Sequence, residues 1–97
     1  MYTGTIAKRY ATALADFAAA RGEERVVFDE ARSLAMYMGE VAQLRETVVA
    51  PTIDVERKVA LMSKCVGGQL SESMDRFVRM VFAHRRERYL EFMFHSL

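Results

Sequence analysis

The 97 residues contain a single cysteine and a single proline. One thiol, Cys65, excludes an intrachain disulfide and leaves no thiol cluster for structural zinc, so the fold has to be held by packing, as suits a reducing compartment. Charge of one sign is missing too. Lysine plus arginine total 14 against 13 aspartate plus glutamate, a near balance that sets up no domain-wide field for nucleic acid or an anionic membrane. No apolar run approaches the roughly 20 residues of a membrane span. The first residues lead into a helical pattern and do not read as a signal or transit peptide, which favours a soluble bacterial chain over an organellar one. Strict alternation of apolar and polar residues, the mark of half-buried strands, is also lacking.

What is present is apolar content, at 52%. A chain of this length forms one domain and buries perhaps two thirds of its unfolded surface, so a dense core of this kind is needed. Pro51 and the glycines Gly4, Gly22, Gly39, Gly67 and Gly68 punctuate it, and between them apolar residues recur every three or four positions. The expectation is an all-α fold, a compact bundle of about six helices. The first runs from about residue 5 to 21, with Gly22 as a left-handed carboxyl cap. The second runs from 23 to 38 and is closed by Gly39, with Val27, Ala31, Leu34, Ala35 and Met38 as its core stripe. A short third helix carries Val41, Leu44 and Val48 and is stopped ahead of Pro51. Asp54 caps a fourth, which buries Val55, Val59, Met62 and Val66 and ends at Gly67 and Gly68. Ser71 or Ser73 caps a fifth over about 72 to 85. A sixth starts near Arg86 and carries Tyr89, Leu90, Met93, Phe94 and Leu97.

Two of these helices are apolar over too wide an arc. Projected as helices, the first covers roughly 160° and the fifth roughly 200°, against the roughly 100° stripe that a surface helix needs. On the first, Ile6, Tyr10, Ala13 and Phe17 form one flank and Ala7, Ala11, Leu14 and Ala18 the other. Met74, Phe77, Val78, Met80, Val81 and Phe82 sweep round the fifth. Two arrangements satisfy these arcs: both helices are central and buried on several sides, or one flank of each lines a groove for a partner's amphipathic helix. The arcs alone do not separate them.

Catalytic chemistry has little to stand on. His84 and His95 lack a nucleophile or ligand set around them, and Cys65 reads as a small core residue. Glu23 with Glu24, and Asp29 with Glu30, are adjacent and point apart on a helix, so they read as solvated faces and dipole partners. No metal or cofactor is expected. Arg85, Arg86 and Arg88 beside His84 make the one dense basic run, which would suit a NusB-like helical RNA-binding or antitermination domain, although such domains usually carry more net charge than +1.

The segment Ile6-Ala7-Lys8-Arg9-Tyr10-Ala11-Thr12-Ala13-Leu14, followed by Phe17-Ala18, is similar to the A-x-x-Y-A-x-A-L-[FY]-x-x-A opening of the ATP synthase delta (OSCP) family, with Ala15 where that family often has an aromatic. The likeness continues in order through Leu34, Pro51, Ile53, Lys58, Leu61, the run Phe77-Val78-Arg79-Met80-Val81, and Arg86, Arg88, Tyr89 and Leu90. It implies a non-catalytic stator subunit of a proton-translocating synthase, held peripherally at the cytoplasmic face of the bacterial plasma membrane. It also implies a groove between the first and fifth helices that grips amino-terminal helices of the alpha subunits. Carried over residue by residue, Ile6, Tyr10, Ala13 and Phe17 would face Phe77, Met80, Val81 and His84. In this reading residues 1–97 are the alpha-binding domain, and the second domain that meets the stalk's b subunit lies outside the chain.

Overall fold

The computed structural model describes residues 2–97, with side chains from residue 4 onward. Six α-helices follow one another: α1 (Tyr2–Ala20), α2 (Glu24–Glu40), α3 (Ala42–Val49), α4 (Val55–Cys65), α5 (Glu72–Ala83) and α6 (Leu90–His95), with a 3-10 turn over Glu87–Tyr89 ahead of the last. The described residues include no strand. The Cα radius of gyration is 12.1 Å, close to the roughly 12.5 Å of a tightly packed chain of this length.

The stops are built by local chemistry. After α1, Gly22 takes φ 71°, the Gly22 N–H donates to Ala19 O and the Glu23 N–H to Ala18 O. This is the paired closure that a glycine at the left-handed position provides. Gly67 at φ 97° does the same after α4, its N–H reaching Lys64 O while that of Gly68 reaches Ser63 O. Asp54 and Ser71 open α4 and α5, accepting from the N–H groups of Arg57 at 2.9 Å and Met74 at 3.2 Å. Ala50 is extended ahead of Pro51, as the proline ring demands.

Four expectations need correction. Gly4 does not delay α1, which already includes Tyr2. Gly39 does not end α2: the helix continues to Glu40, and Val41 leaves it in extended backbone. A Cβ at Gly39 would lie 3.5 Å from Glu91 Oε2, an ordinary van der Waals contact, so the packing of α2 does not require a glycine there. The released carbonyls are met by Arg45, whose Nη1 donates to Met38 O at 2.5 Å and Gly39 O at 3.3 Å. α5 ends at Ala83, two residues early, because Arg85 turns left-handed at φ 60° and its N–H and that of Arg86 fold back onto Phe82 O and Val81 O. The sixth helix consequently begins only at Leu90, after the 3-10 turn.

The core lies where α1 and α2 converge on α6, with α5 packed against α1, α2 and α4. Although only six residues long, α6 is packed against α1 and α2 and buries Leu90, Met93 and Phe94. The α2 stripe read from the sequence is buried throughout. In α3, Leu44 and Val48 are buried, whereas Val41 is 42% exposed and belongs to the surface. In α4, Val59 and Met62 are buried and Val55 and Val66 only partly so. Cys65 is half-buried against the same cluster, and desolvation raises its thiol pKa, which keeps it protonated.

Arg85 holds a conformation that costs a residue with a Cβ about 1–2 kcal/mol and glycine almost nothing. Arg85→Gly is therefore expected to stabilise the fold by about 1 kcal/mol, read as a higher urea midpoint at unchanged slope. A midpoint that stays put or falls would mean that the arginine side chain offsets its own strain.

Candidate functional site

On an antiparallel pair of helices, side chains four apart form facing rows. Arg9, Ala13, Phe17 and Arg21 make such a row on α1 and its exit, and His84, Met80, Arg76 and Glu72 run opposite on α5. The two rows are tied at both ends. At one, Tyr10 Oη lies 3.0 Å from His84 Nδ1, their rings meet edge to face, and Tyr10 is also edge-on to Phe77 at 6.5 Å between centroids. The Arg86 guanidinium lies 5.9 Å over the Tyr10 ring. At the other end Arg21 pairs with Glu72, which also takes Arg76 Nη2 at 3.0 Å, while the Arg21 guanidinium lies 5.4 Å over the Phe17 ring.

Between the ties the rows stand apart. Ala13, Leu14 and Phe17 on one side and Arg76, Phe77 and Met80 on the other enclose an open cleft of about 400 Å³. The alanine at position 13 leaves this space, and the methionine opposite has three rotatable bonds with which to adapt to whatever fills it.

The wide arc of α1 thereby resolves into two faces. Ala7, Ala11, Leu14 and Ala18 are buried to 3% exposure or less, so that flank is core. Ala13 and Phe17 are exposed, and Ile6 and Tyr10 are half-buried. The arc of α5 is different, because Met74, Phe77, Val78, Val81 and Phe82 are all buried and, of the six apolar residues expected to sweep round it, Met80 alone reaches the surface, at 36% exposure. Of the residues expected to line the groove, the structure brings Ala13, Phe17, Phe77 and Met80 together in the cleft. Tyr10 and His84 close its end. Val81 does not reach it, having no accessible surface. Ile6 packs on the core beyond the Tyr10 tie.

The carboxylates of α2 also need correction. Glu23 is not a solvated dipole partner. Its Oε1 accepts from Ser73 N at 3.0 Å and Ser73 Oγ at 2.5 Å. Glu30, 5% exposed, accepts from Ser71 N at 2.6 Å and Ser71 Oγ at 2.7 Å. Both side chains therefore cap the first turn of α5 from elsewhere in the chain, Glu30 from within α2 and Glu23 from the residue before it. The hydrogen bonds from Ser73 hold the Glu23 pKa down, whereas burial, partly offset by Ser71, pushes that of Glu30 up. Sequence spacing carried no sign of this, since residues 41 and 50 positions apart make the bonds. Lys58 is likewise buried, its ammonium 5.1 Å over the Phe82 ring.

The basic run does not gather into one face. Arg86 lies over Tyr10 of α1 and Arg88 over Tyr89, 5.2 Å from that ring. His95 sits 3.8 Å from Glu91. Among the described residues no cluster of His, Cys, Asp and Glu could hold a metal ion, and no helix is long and apolar enough to cross a membrane.

Residues 6–97 match the family model described as ATP synthase delta (OSCP) subunit. The chain belongs to the ATP synthase delta (OSCP) family. Among its relatives, the protein named ATP synthase subunit delta of Phocaeicola vulgatus is 39% identical over 97 residues, covering 99% of this chain and 52% of the relative. The protein of that name from Parabacteroides distasonis is 36% identical over 93 residues, and the one from Prochlorococcus marinus 28% over 86, covering 96% and 89% of this chain and 52% and 47% of the relatives. The chain thus spans about half the length of the curated delta subunits it matches. No solved structure matches.

Within this delta-family bundle, Glu30→Ala leaves the Ser71 N–H and hydroxyl without their acceptor and is expected to cost about 2 kcal/mol. Glu30→Gln keeps an acceptor and should cost less. The pH dependence has opposite signs at the two carboxylates. Because the folded state raises the Glu30 pKa, that group's contribution is greatest below the ordinary carboxylate range and is lost as pH rises through its folded value. Because it lowers that of Glu23, that contribution is present above the ordinary range and lost as pH falls. Denaturant midpoints measured from pH 3 to 8 should therefore decline less toward neutrality in Glu30→Gln than in the parent chain; parallel curves would show that Glu30 titrates alike in both states.

Proposed function

We propose that this chain is a non-catalytic part of the peripheral stalk of an F-type ATP synthase, and that its α1/α5 cleft takes an amino-terminal helix of an alpha subunit. The observation that carries the reading is the unfilled cleft between Ala13, Phe17, Phe77 and Met80, found on a member of the delta family. A helix laid into it would present apolar side chains at intervals of three and four, each contributing about 2 kcal/mol on burial, less what the helix loses in becoming ordered. Such a joint needs no chemistry. Its task is to resist the torque that the turning rotor exerts on the catalytic head, with the head tied through the alpha helices and the stalk's b subunit engaged by a second domain. The site residues we assign to alpha binding are Ala13, Phe17, Phe77 and Met80, with Tyr10 and His84 as the end wall and Ile6 and Val81 in support.

A synthetic alpha-subunit amino-terminal peptide is expected to shift the amide signals of residues 13, 17, 77 and 80 of the 97-residue chain, with little loss of affinity between low and moderate salt. Ala13→Glu places a charge in the cleft at a solvent-exposed position, so it should keep the helical spectrum and melting temperature while reducing peptide affinity by at least tenfold, about 1.4 kcal/mol. Unchanged affinity in that variant would refute the site. Binding that instead collapses with salt and depends on Arg85, Arg86 and Arg88 would refute the function in favour of a nucleic-acid partner.

A further inference from the structure

The two ends of the cleft are electrically unlike. At the Phe17 end the cations are already matched: Arg21 pairs with Glu72 and lies 3.6 Å from Glu23, and Arg76 also pairs with Glu72. Asp16, exposed and three residues after Ala13, adds a further negative charge on that side. At the Tyr10 end cations collect, with the partly buried Glu87 as the carboxylate next in sequence. Arg9 is exposed one turn before Ala13 on the same face of α1, Arg85 is exposed just past α5, and Arg86 leans over the Tyr10 ring. Among the described residues none of these three has a carboxylate partner. Glu87, next in sequence, does not serve them, since its Oε1 is buried without a hydrogen bond.

Arg85 supplies a second, independent observation. It occupies a left-handed position at φ 60° where glycine would remove the strain, and strain kept one residue from His84, which is tied to Tyr10, points to use of the side chain.

Resting on the groove reading above, we infer that the cleft reads the direction of its helix, which lies parallel to α5 with an acidic carboxyl-terminal turn over Arg9, Arg85 and Arg86. Helix carbonyls carry partial negative charge at the carboxyl end, so backbone and acidic side chains favour the same placement. In the opposite direction the acidic turn would meet Asp16, Glu23 and Glu72, with Arg21 and Arg76 already engaged.

The test uses the 97-residue chain and two synthetic amphipathic peptides of about 16 residues, roughly 24 Å of helix. They share one apolar stripe of Leu and Ala, are capped at both ends, and carry a nitroxide at the amino end. One has a pair of glutamates in its last turn, the other in its first. The peptide with acidic residues at its carboxyl end is expected to bind about fivefold more tightly at low salt, an advantage that shrinks as ionic strength rises. Its nitroxide should broaden signals near Phe17 and Arg76 and spare those near His84. The double variant Arg9→Gln, Arg85→Gly, which changes two exposed residues and relieves the strained one, should retain the fold and equalise the two affinities. Equal affinities in the parent chain, or broadening at both ends, would overturn the directional reading while leaving the groove intact. If neither peptide binds, both readings fail.

Discussion

The placement of α5 against α1 depends on two carboxylates that belong to neither helix. Glu23 and Glu30, both from the α2 segment, take the hydroxyls and backbone N–H groups of Ser73 and Ser71 and so fix where α5 begins. A helix start leaves unsatisfied N–H groups and carries partial positive charge, which favours the carboxylate of Glu23 and offsets part of the burial cost of Glu30 while both satisfy those groups. Ser71 is bonded in both directions: it gives its proton to Glu30 and accepts from the Met74 N–H. With the first turn pinned in this way, the register that sets Met80 opposite Ala13 follows from the helical rise.

Small side chains on α1 set the other half of the geometry. Ala7, Ala11 and Ala18 on its inner flank let it settle closely onto the bundle, with Leu14 as the large anchor among them. Position 13 is small on the outer flank, where it is exposed and no described element covers it. The same residue type therefore serves close packing on one side of the helix and vacant space on the other. The cleft exists because α5, pinned at its start and tied to Tyr10 through His84, cannot collapse into that space.

Helix number, order and most boundaries were legible because they depend on local signals: the glycines at 22, 67 and 68, the caps at Asp54 and Ser71, and the proline at 51. The cleft was legible in outline because an arc wider than one core can absorb must be satisfied twice. What could not be read was non-local or conformational. Val81 lies on the same apolar arc as Met80, and only the packing of neighbouring elements decides which of the two faces outward. The capping by Glu23 and Glu30 joins residues far apart in sequence, and adjacent acidic residues on a helix gave no hint of it. The early end of α5 turns on Arg85 adopting a conformation that side-chain statistics assign to glycine.

That last failure also bears on how the cleft is built. Had residue 85 been glycine, the stop would have been visible in the sequence, as it was at Gly22 and Gly67. Local preference and the native conformation conflict at this one helix end, and consistency between the two is the rule elsewhere in the bundle. The conflict sits one residue from His84, whose bond to Tyr10 closes the cleft, and beside Arg86, which covers the Tyr10 ring. A glycine at the same φ would close the helix equally well and would leave the backbone carrying no charge there. The arginine contributes nothing to the backbone turn that glycine would not, and on the directional reading its exposed side chain adds positive charge beyond the His84 tie.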